Sequence, residues 1–200
     1  LSCCHIKRYE KLVAFIRAGE PADSLYYLVE GSVAALIEDE NEREIVLAYI
    51  NKGEFIGEMG LFTPQTTRSV IVRTRVRCRV AEITYKRLSY LLDNELKDHA
   101  KELLYAIGAQ LSQRLRSTSS KVGHLAFLDV TGRIARTLLE LCAQPDAMTH
   151  PDGMQIRITR QEIGRIVGCS REMAGRVLKA LSEQGHISVK GKTIVVFGTR

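Results

Sequence analysis

Between residues 16 and 81, apolar positions come in short runs broken by glycine or by charge. The runs at 26–29, 33–37 and 45–50 have the length and composition of strands, and "EDENERE" (38–44) reads as a charged turn between two of them. Gly31, Gly53, Gly57 and Gly60 mark corners. Short strands at such close spacing predict a small barrel or roll.

Near residue 97 the period changes. Leu104, Gly108, Leu111, Leu115, Thr118, Val122 and Leu125 recur at alternating steps of four and three, with Ile107 beside them. This is a heptad seam sustained for about three repeats. A seam so narrow on so long a helix predicts a partner helix, hence a homodimer; packing on its own domain is the alternative. "STSSKVG" (117–123) sets small hydroxyl residues into this helix, with Thr118 on the seam. A polar seam residue can fix register, or it can touch a ligand shared by two subunits. Beyond Gly123 the pattern reads as a hinge, with its pivot at 127–130, followed by a helix. "PDAMTHPDGM" (145–154) reads as a loop of turn formers.

The last 42 residues carry the sharpest local signals. Thr159-Arg-Gln-Glu162 has the form of a capping box. The helix it opens stops at Gly168, Ser170 can cap a second helix, and Gly185 can end it. Helix, short break, helix is the helix-turn-helix arrangement. At about 100° per residue, Ala174, Val177, Leu178 and Leu181 share one arc of the second helix. Arg171, Glu172, Gly175, Arg176 and Lys179 fill the other. Gly175, on the polar face, removes a side chain and lets another surface come close. Arginine can donate two parallel bonds to guanine, and glutamate can accept from cytosine; a solvated i,i+4 pair between Glu172 and Arg176 is the alternative. "HISVKGKTIVVF" (186–197) reads as a hairpin with a basic tip, a wing whose lysines can meet phosphate.

Composition sharpens this picture. The chain has 200 residues and is 45% hydrophobic, suited to one or two domains. Its net charge is +6; from Phe127 onward, 11 Lys/Arg face 7 Asp/Glu, and residues 159–192 alone hold seven basic against three acidic side chains. The surplus of the C-terminal part thus sits in the helix-turn-helix and wing, where it favours a polyanion. No apolar run reaches the roughly 18 residues of a membrane span, and nothing resembles a cleavable signal, so a cytoplasmic protein without membrane partners is expected. The chain opens at Leu1 rather than Met, so a preceding segment is expected to be missing. Cys3, Cys4, Cys78, Cys142 and Cys169 are odd in number and show no metal-site spacing, as in a reducing cytosol. "SCCHIK" (2–7) reads as plain thiols rather than a metal or cluster site.

"GHLAFLDVTGRIARTLLEL", "QPDAMTHPDGMQIRITRQEIGRIVGCSREM" and "GKTIVVFGTR" are long and specific. On them the chain resembles the cyclic AMP receptor protein (catabolite activator) family of bacterial transcription regulators, over nearly its whole length. The resemblance implies an α+β fold: a β-roll cyclic-nucleotide-binding domain at 1–98, a dimerisation helix at 99–126 and a winged helix-turn-helix at 127–200. It implies Arg171, Glu172 and Arg176 as readers of a TGTGA-like half-site in double-stranded DNA. Arg160, Ser170, Lys179 and Lys192 would make backbone or flanking contacts, and the 147–153 loop would touch RNA polymerase.

"GEFIGEMGLF" (53–62) followed by "TTRSV" (66–70) resembles the family's phosphate-binding cassette. The chemistry is sensible by itself. Backbone N–H groups at the turn starting at Gly57 can cradle an anion, Arg68 can pair with it, and Ser69 adds a hydroxyl. Glu58 would oppose an anion but can accept from a ribose hydroxyl. A tight turn between strands is the other reading. By the resemblance, Thr118 and Ser119 would meet the purine, one of them from the partner subunit.

The chain departs from the enteric member at Val70, which is Ala there, and in a longer 88–110 stretch. In that length it is similar to the xanthomonad branch, whose members respond to cyclic di-GMP as an inhibitor, whereas Ser69 points to cyclic AMP. The expected protein is a ligand-gated regulator with cyclic AMP as effector and no metal; the alternative binds DNA unliganded and is released by cyclic di-GMP. An iron–sulfur sensor would need a cysteine cluster that Cys3 and Cys4 do not provide. No nucleophile–base pair or metal-ligand set accompanies the cassette, so no enzyme is expected.

Overall fold

The computed structural model describes residues 2–63 and 67–199; Thr66 and Arg200, which belong to the motifs above, lie outside them. The chain divides into two compact units, Leu1–Asp39 with Val46–Thr118, and Glu40–Ile45 with Ser119–Arg200.

The first unit contains β1 (His5–Tyr9), β2 (Ala14–Ile16), β3 (Ser24–Glu30), β4 (Ser32–Glu38), all but the first two residues of β5 (Glu44–Asn51), β6 (Phe55–Ile56), β7 (Ile71–Thr74) and β8 (Cys78–Thr84). They form two four-stranded sheets, ordered β1-β8-β3-β6 and β2-β7-β4-β5. The three strands expected from sequence are β3, β4 and β5, each slightly longer at both ends. Ile16, Leu28, Val33, Ile50, Ile56, Val72 and Val80 come from both sheets and share one core. Burying each contributes about 1.5–3 kcal/mol, which is what closes the strands into a roll. Helix α1 (Tyr85–Asp93) follows β8, with the Thr84 hydroxyl accepting from Arg87 N.

Helix α2 (Ala100–Phe127) bears the predicted seam. Ile107 is fully buried with Leu25, Ile83, Leu88 and Leu91. Leu104, Leu115, Val122 and Leu125 are exposed. The helix runs unbroken through 117–123 and on to Phe127, and the break falls at Leu128 and Asp129, within the pivot expected at 127–130. Small hydroxyl residues need not interrupt a helix, because they can bond a carbonyl of the preceding turn, as Ser112 Oγ does to Gly108 O at 2.9 Å. The Asp129 carboxylate then caps α3 (Val130–Cys142), accepting from Gly132 N at 2.7 Å.

The second unit continues with β9 (Met148–His150), β10 (Gly153–Arg157), α4 (Arg160–Val167), α5 (Arg171–Glu183), β11 (Ile187–Lys190) and β12 (Thr193–Phe197). The strands form one sheet, ordered β11-β12-β10-β9. The 145–154 stretch is therefore more than a loop: its turn formers join β9 to β10. The flanking residues become strands because β10 pairs with β12, Gly153 opposite Phe197. Ile134, Leu138, Ile163, Leu178 and Ile194 are fully buried in this unit.

Candidate nucleotide pocket and nucleic-acid interface

In the first unit, β6 delivers the chain into the cassette turn. Gly57 has φ 83°, a left-handed conformation that glycine takes without steric cost. A Cβ there would lie 2.5 Å from Arg68 Nη1. Glu58 opens a 3₁₀ turn, Glu58–Leu61, and is only 3% exposed. Its Oε1 lies 2.5 Å from Arg114 Nη1 on α2, while its buried Oε2 has no hydrogen-bond partner among the described residues. An unsatisfied buried acceptor costs about 1–3 kcal/mol, more when charged, so this oxygen is suited to a hydroxyl donor.

Arg68 is 8% exposed and held at both ends of its fork. Nη2 donates to Ser24 O at 2.6 Å and Nη1 to the Tyr85 hydroxyl at 3.2 Å. The guanidinium also lies 5.5 Å from the centre of the Tyr26 ring. Burial, reinforced by Glu82, pushes the Tyr26 phenol far above its usual range, so it stays neutral beside the arginine. Gln110 and Arg114 tie α2 to the cassette. Gln110 accepts from Phe55 N at 2.7 Å and donates to Phe55 O at 2.9 Å, and Arg114 Nη2 donates to the same carbonyl at 2.6 Å.

The structure thus brings Gly57, Glu58 and Arg68 together. Ser69 is exposed beside them, and Thr118 and Ser119 are exposed on α2, four and five positions past Arg114. Arg114, Gln110 and Tyr85 are members the sequence reading missed. The i,i+4 spacing of Gln110 and Arg114 was a usable signal; Tyr85 had none.

In the second unit, the capping box forms as expected. Thr159 Oγ1 accepts from Glu162 N at 3.1 Å, and Glu162 Oε2 accepts from Thr159 N at 2.9 Å. Gly168 takes φ 70° at the turn. Gly164, unexplained by the sequence, allows α4 to close on that turn: a Cβ there would lie 2.6 Å from Cys169 O. The Ser170 hydroxyl accepts from Met173 N at 3.1 Å and caps α5; it keeps a proton to donate outward. Ala174, Val177, Leu178 and Leu181 are buried, which leaves Arg171, Glu172, Arg176 and Lys179 exposed on the opposite face.

These four, with Arg160 and Gly175, line a groove of about 770 Å³. The side chain nearest Gly175 is Arg160, whose Cδ lies 3.4 Å from where a Cβ would stand, an ordinary contact, so the close approach expected at this glycine is not made within the described residues. Lys179 pairs loosely with Glu183 at 3.7 Å. Among the described residues neither Glu172 nor Arg176 has an ion-pair partner within 4 Å, so the i,i+4 alternative is not realised. In the wing, Gly191 turns the hairpin at φ 65° between exposed Lys190 and Lys192.

A two-sheet roll with a buried guanidinium and carboxylate at a cassette turn, combined with a basic winged helix-turn-helix, defines a ligand-binding regulator of DNA. Comparison with known proteins agrees. Residues 6–95 match the cyclic nucleotide-binding domain, and residues 132–197 match the Crp-like helix-turn-helix domain. The chain is 58% identical to the cAMP-activated global transcriptional regulator Vfr of Pseudomonas aeruginosa, spanning 100% of this chain and 92% of Vfr. It is also 58% identical to the cAMP-activated regulator CRP of Escherichia coli O6:H1, over 100% of this chain and 93% of CRP. The solved structure of the c-di-GMP responsive global regulator CLP of Xanthomonas campestris superposes with a TM-score of 0.94 at 52% identity, covering 99% of this chain and 96% of that one. The chain belongs to the cyclic AMP receptor protein family of DNA-binding transcription regulators. No described helix is long and apolar enough to cross a membrane. Among the described residues no group of three or more His, Cys, Asp or Glu could hold a metal.

Proposed function

We propose that the protein is a homodimeric, cytoplasmic regulator gated by cyclic AMP, which reads a TGTGA-like palindrome and contacts RNA polymerase through residues 147–153. The observation that carries the effector reading is Glu58, whose Oε1 is paired with Arg114 and whose buried Oε2 lacks a donor. A ribose hydroxyl supplies that donor, while Arg68, against Gly57, meets the cyclic phosphate and Ser69 adds a hydroxyl. Thr118 and Ser119 meet the purine, one of them from the partner subunit. The 58% identity to two regulators described as cAMP-activated supports this choice of nucleotide.

On DNA, Arg171, Glu172 and Arg176 read base edges, and Arg160, Ser170, Lys179 and Lys192 hold the backbone and flanks. Two reading helices about 34 Å apart enter successive major grooves. The effector acts by binding one arrangement of the dimer better than the other; a swing from 1:99 to 99:1 requires about 5.5 kcal/mol of difference.

The α2 seam supplies the dimer. Leu115 is 69%, Val122 61% and Leu125 59% exposed, a larger apolar stripe than a lone helix leaves in water. Leu115→Glu with Val122→Glu is expected to yield monomers in sedimentation velocity and to weaken palindrome binding at least tenfold. A variant that stays dimeric would move the interface off this seam.

A second reading rests on the likeness to the c-di-GMP responsive CLP: the protein binds DNA unliganded and cyclic di-GMP releases it. Fluorescence anisotropy on a TGTGA-N6-TCACA duplex separates the two, run at fixed salt because phosphate contacts make affinity salt-dependent. Tight binding only with cyclic AMP is expected. Tight binding without ligand, lost on adding cyclic di-GMP, would establish the second reading instead.

A further inference from the structure

Tyr85 stands at the first position of α1, outside both the cassette and the seam. Its hydroxyl donates to Gly57 O at 2.6 Å and accepts from Arg68 Nη1 at 3.2 Å. It therefore uses its one proton on the cassette turn and a lone pair on the guanidinium. The ring occupies space left by a second glycine. A Cβ on Gly60 would lie 2.5 Å from the Tyr85 hydroxyl and 2.7 Å from two ring carbons. Its backbone is anchored too, with Tyr85 N donating to Asp23 O at 2.8 Å, next to the Ser24 carbonyl that holds the other end of Arg68.

A long arginine side chain loses much of its binding strength if its fork must be ordered when the anion arrives. Here the fork is ordered beforehand by one backbone carbonyl and one phenol, and the phenol is itself fixed to the turn that the anion approaches. We propose that Tyr85 is the positioning residue of the effector pocket: its hydroxyl sets Arg68 against the Gly57 turn so that the remaining N–H donors meet a cyclic phosphate. Gly60 is glycine because the ring must lie on the turn. This rests on the cyclic-nucleotide reading above.

The test is calorimetric. The wild-type chain is titrated with cyclic AMP and with cyclic di-GMP, and the tighter ligand is carried through Tyr85→Phe, Arg68→Ala and the double variant. Phenylalanine keeps the ring and removes only the hydroxyl, so the chain should stay folded, with a modestly lower unfolding midpoint from the stranded Gly57 carbonyl, while affinity falls about tenfold. In the Arg68→Ala background the same change should have no further effect. Gly60→Ala, which displaces the ring and keeps the hydroxyl, should lower affinity in the same direction.

Equal affinity of Tyr85→Phe and wild type would overturn the proposal and leave the nucleotide reading standing. An equal loss in both backgrounds would also overturn it, because Tyr85 would then act on general packing. If the wild type bound neither nucleotide, the functional reading itself would fall, and this inference with it.

Discussion

Replacing Arg171 and Arg176 together with alanine is expected to abolish sequence preference while leaving the fold intact. Both side chains are exposed on the face of α5 opposite its buried residues, so folding stability should change by no more than about 0.5 kcal/mol. A bidentate arginine–guanine pair is worth about 1–3 kcal/mol of discrimination. Losing two in each half-site removes about 2–6 kcal/mol per half-site, or about 30-fold at the least for each. Anisotropy against the palindrome and a scrambled duplex should show the two affinities converging. Lys192→Ala is the contrast, because a wing lysine on phosphate carries no sequence information. It should weaken both duplexes alike and reduce the salt slope by about 0.9 per subunit, or about 1.8 for the dimer. Full preference retained by the double arginine variant would mean that α5 does not read the bases.

Arg68→Ala is expected to weaken effector binding more than any other change in the pocket. Truncating one partner of a buried, hydrogen-bonded charge pair costs about 2–5 kcal/mol, which is about 30-fold in affinity or more. The same change strands the Ser24 carbonyl that Nη2 now satisfies, so stability should also fall, by about 1–3 kcal/mol. Arg68→Lys separates charge from geometry: it keeps the cation, loses the fork, and should bind between the two extremes. Calorimetry with each nucleotide, paired with thermal unfolding, reads both effects. Unchanged affinity in a folded Arg68→Ala chain would place the phosphate elsewhere.

The two halves of the molecule were legible to different depths. The charged residues of the pocket, Glu58 and Arg68, lie in a recognisable motif, yet what makes them a pocket comes from far away. Arg68 is fixed by Ser24, 44 positions earlier, and Glu58 by Arg114, 56 positions later. No local pattern announces such pairs, and Tyr85 carried no signal because a tyrosine opening a helix is ordinary. The α2 seam was legible as a period, but only the fold divided it. Ile107, beside the seam, is consumed by the core of its own unit, while Leu115 and Val122 remain outside. The stretch at 145–154 showed turn chemistry and hid two strands, since β10 is held by a partner late in the chain.

By itself, the sequence determined the helix-turn-helix and which face of its second helix is exposed and polar. A capping box, a turn glycine, a serine cap and an amphipathic arc are all relations among residues a few positions apart, so local chemistry suffices to specify them. It also marked the three strands of the roll's middle, as short apolar runs set off by glycine and a charged turn, but not their division between two sheets. Only the tertiary structure decided that Gly57, Glu58 and Arg68 converge, that Glu58 is left with one buried oxygen lacking a donor, and which side of α2 stays exposed. Those outcomes depend on closing two sheets over one core, where burial and satisfied hydrogen bonds select among contacts the chain order does not record.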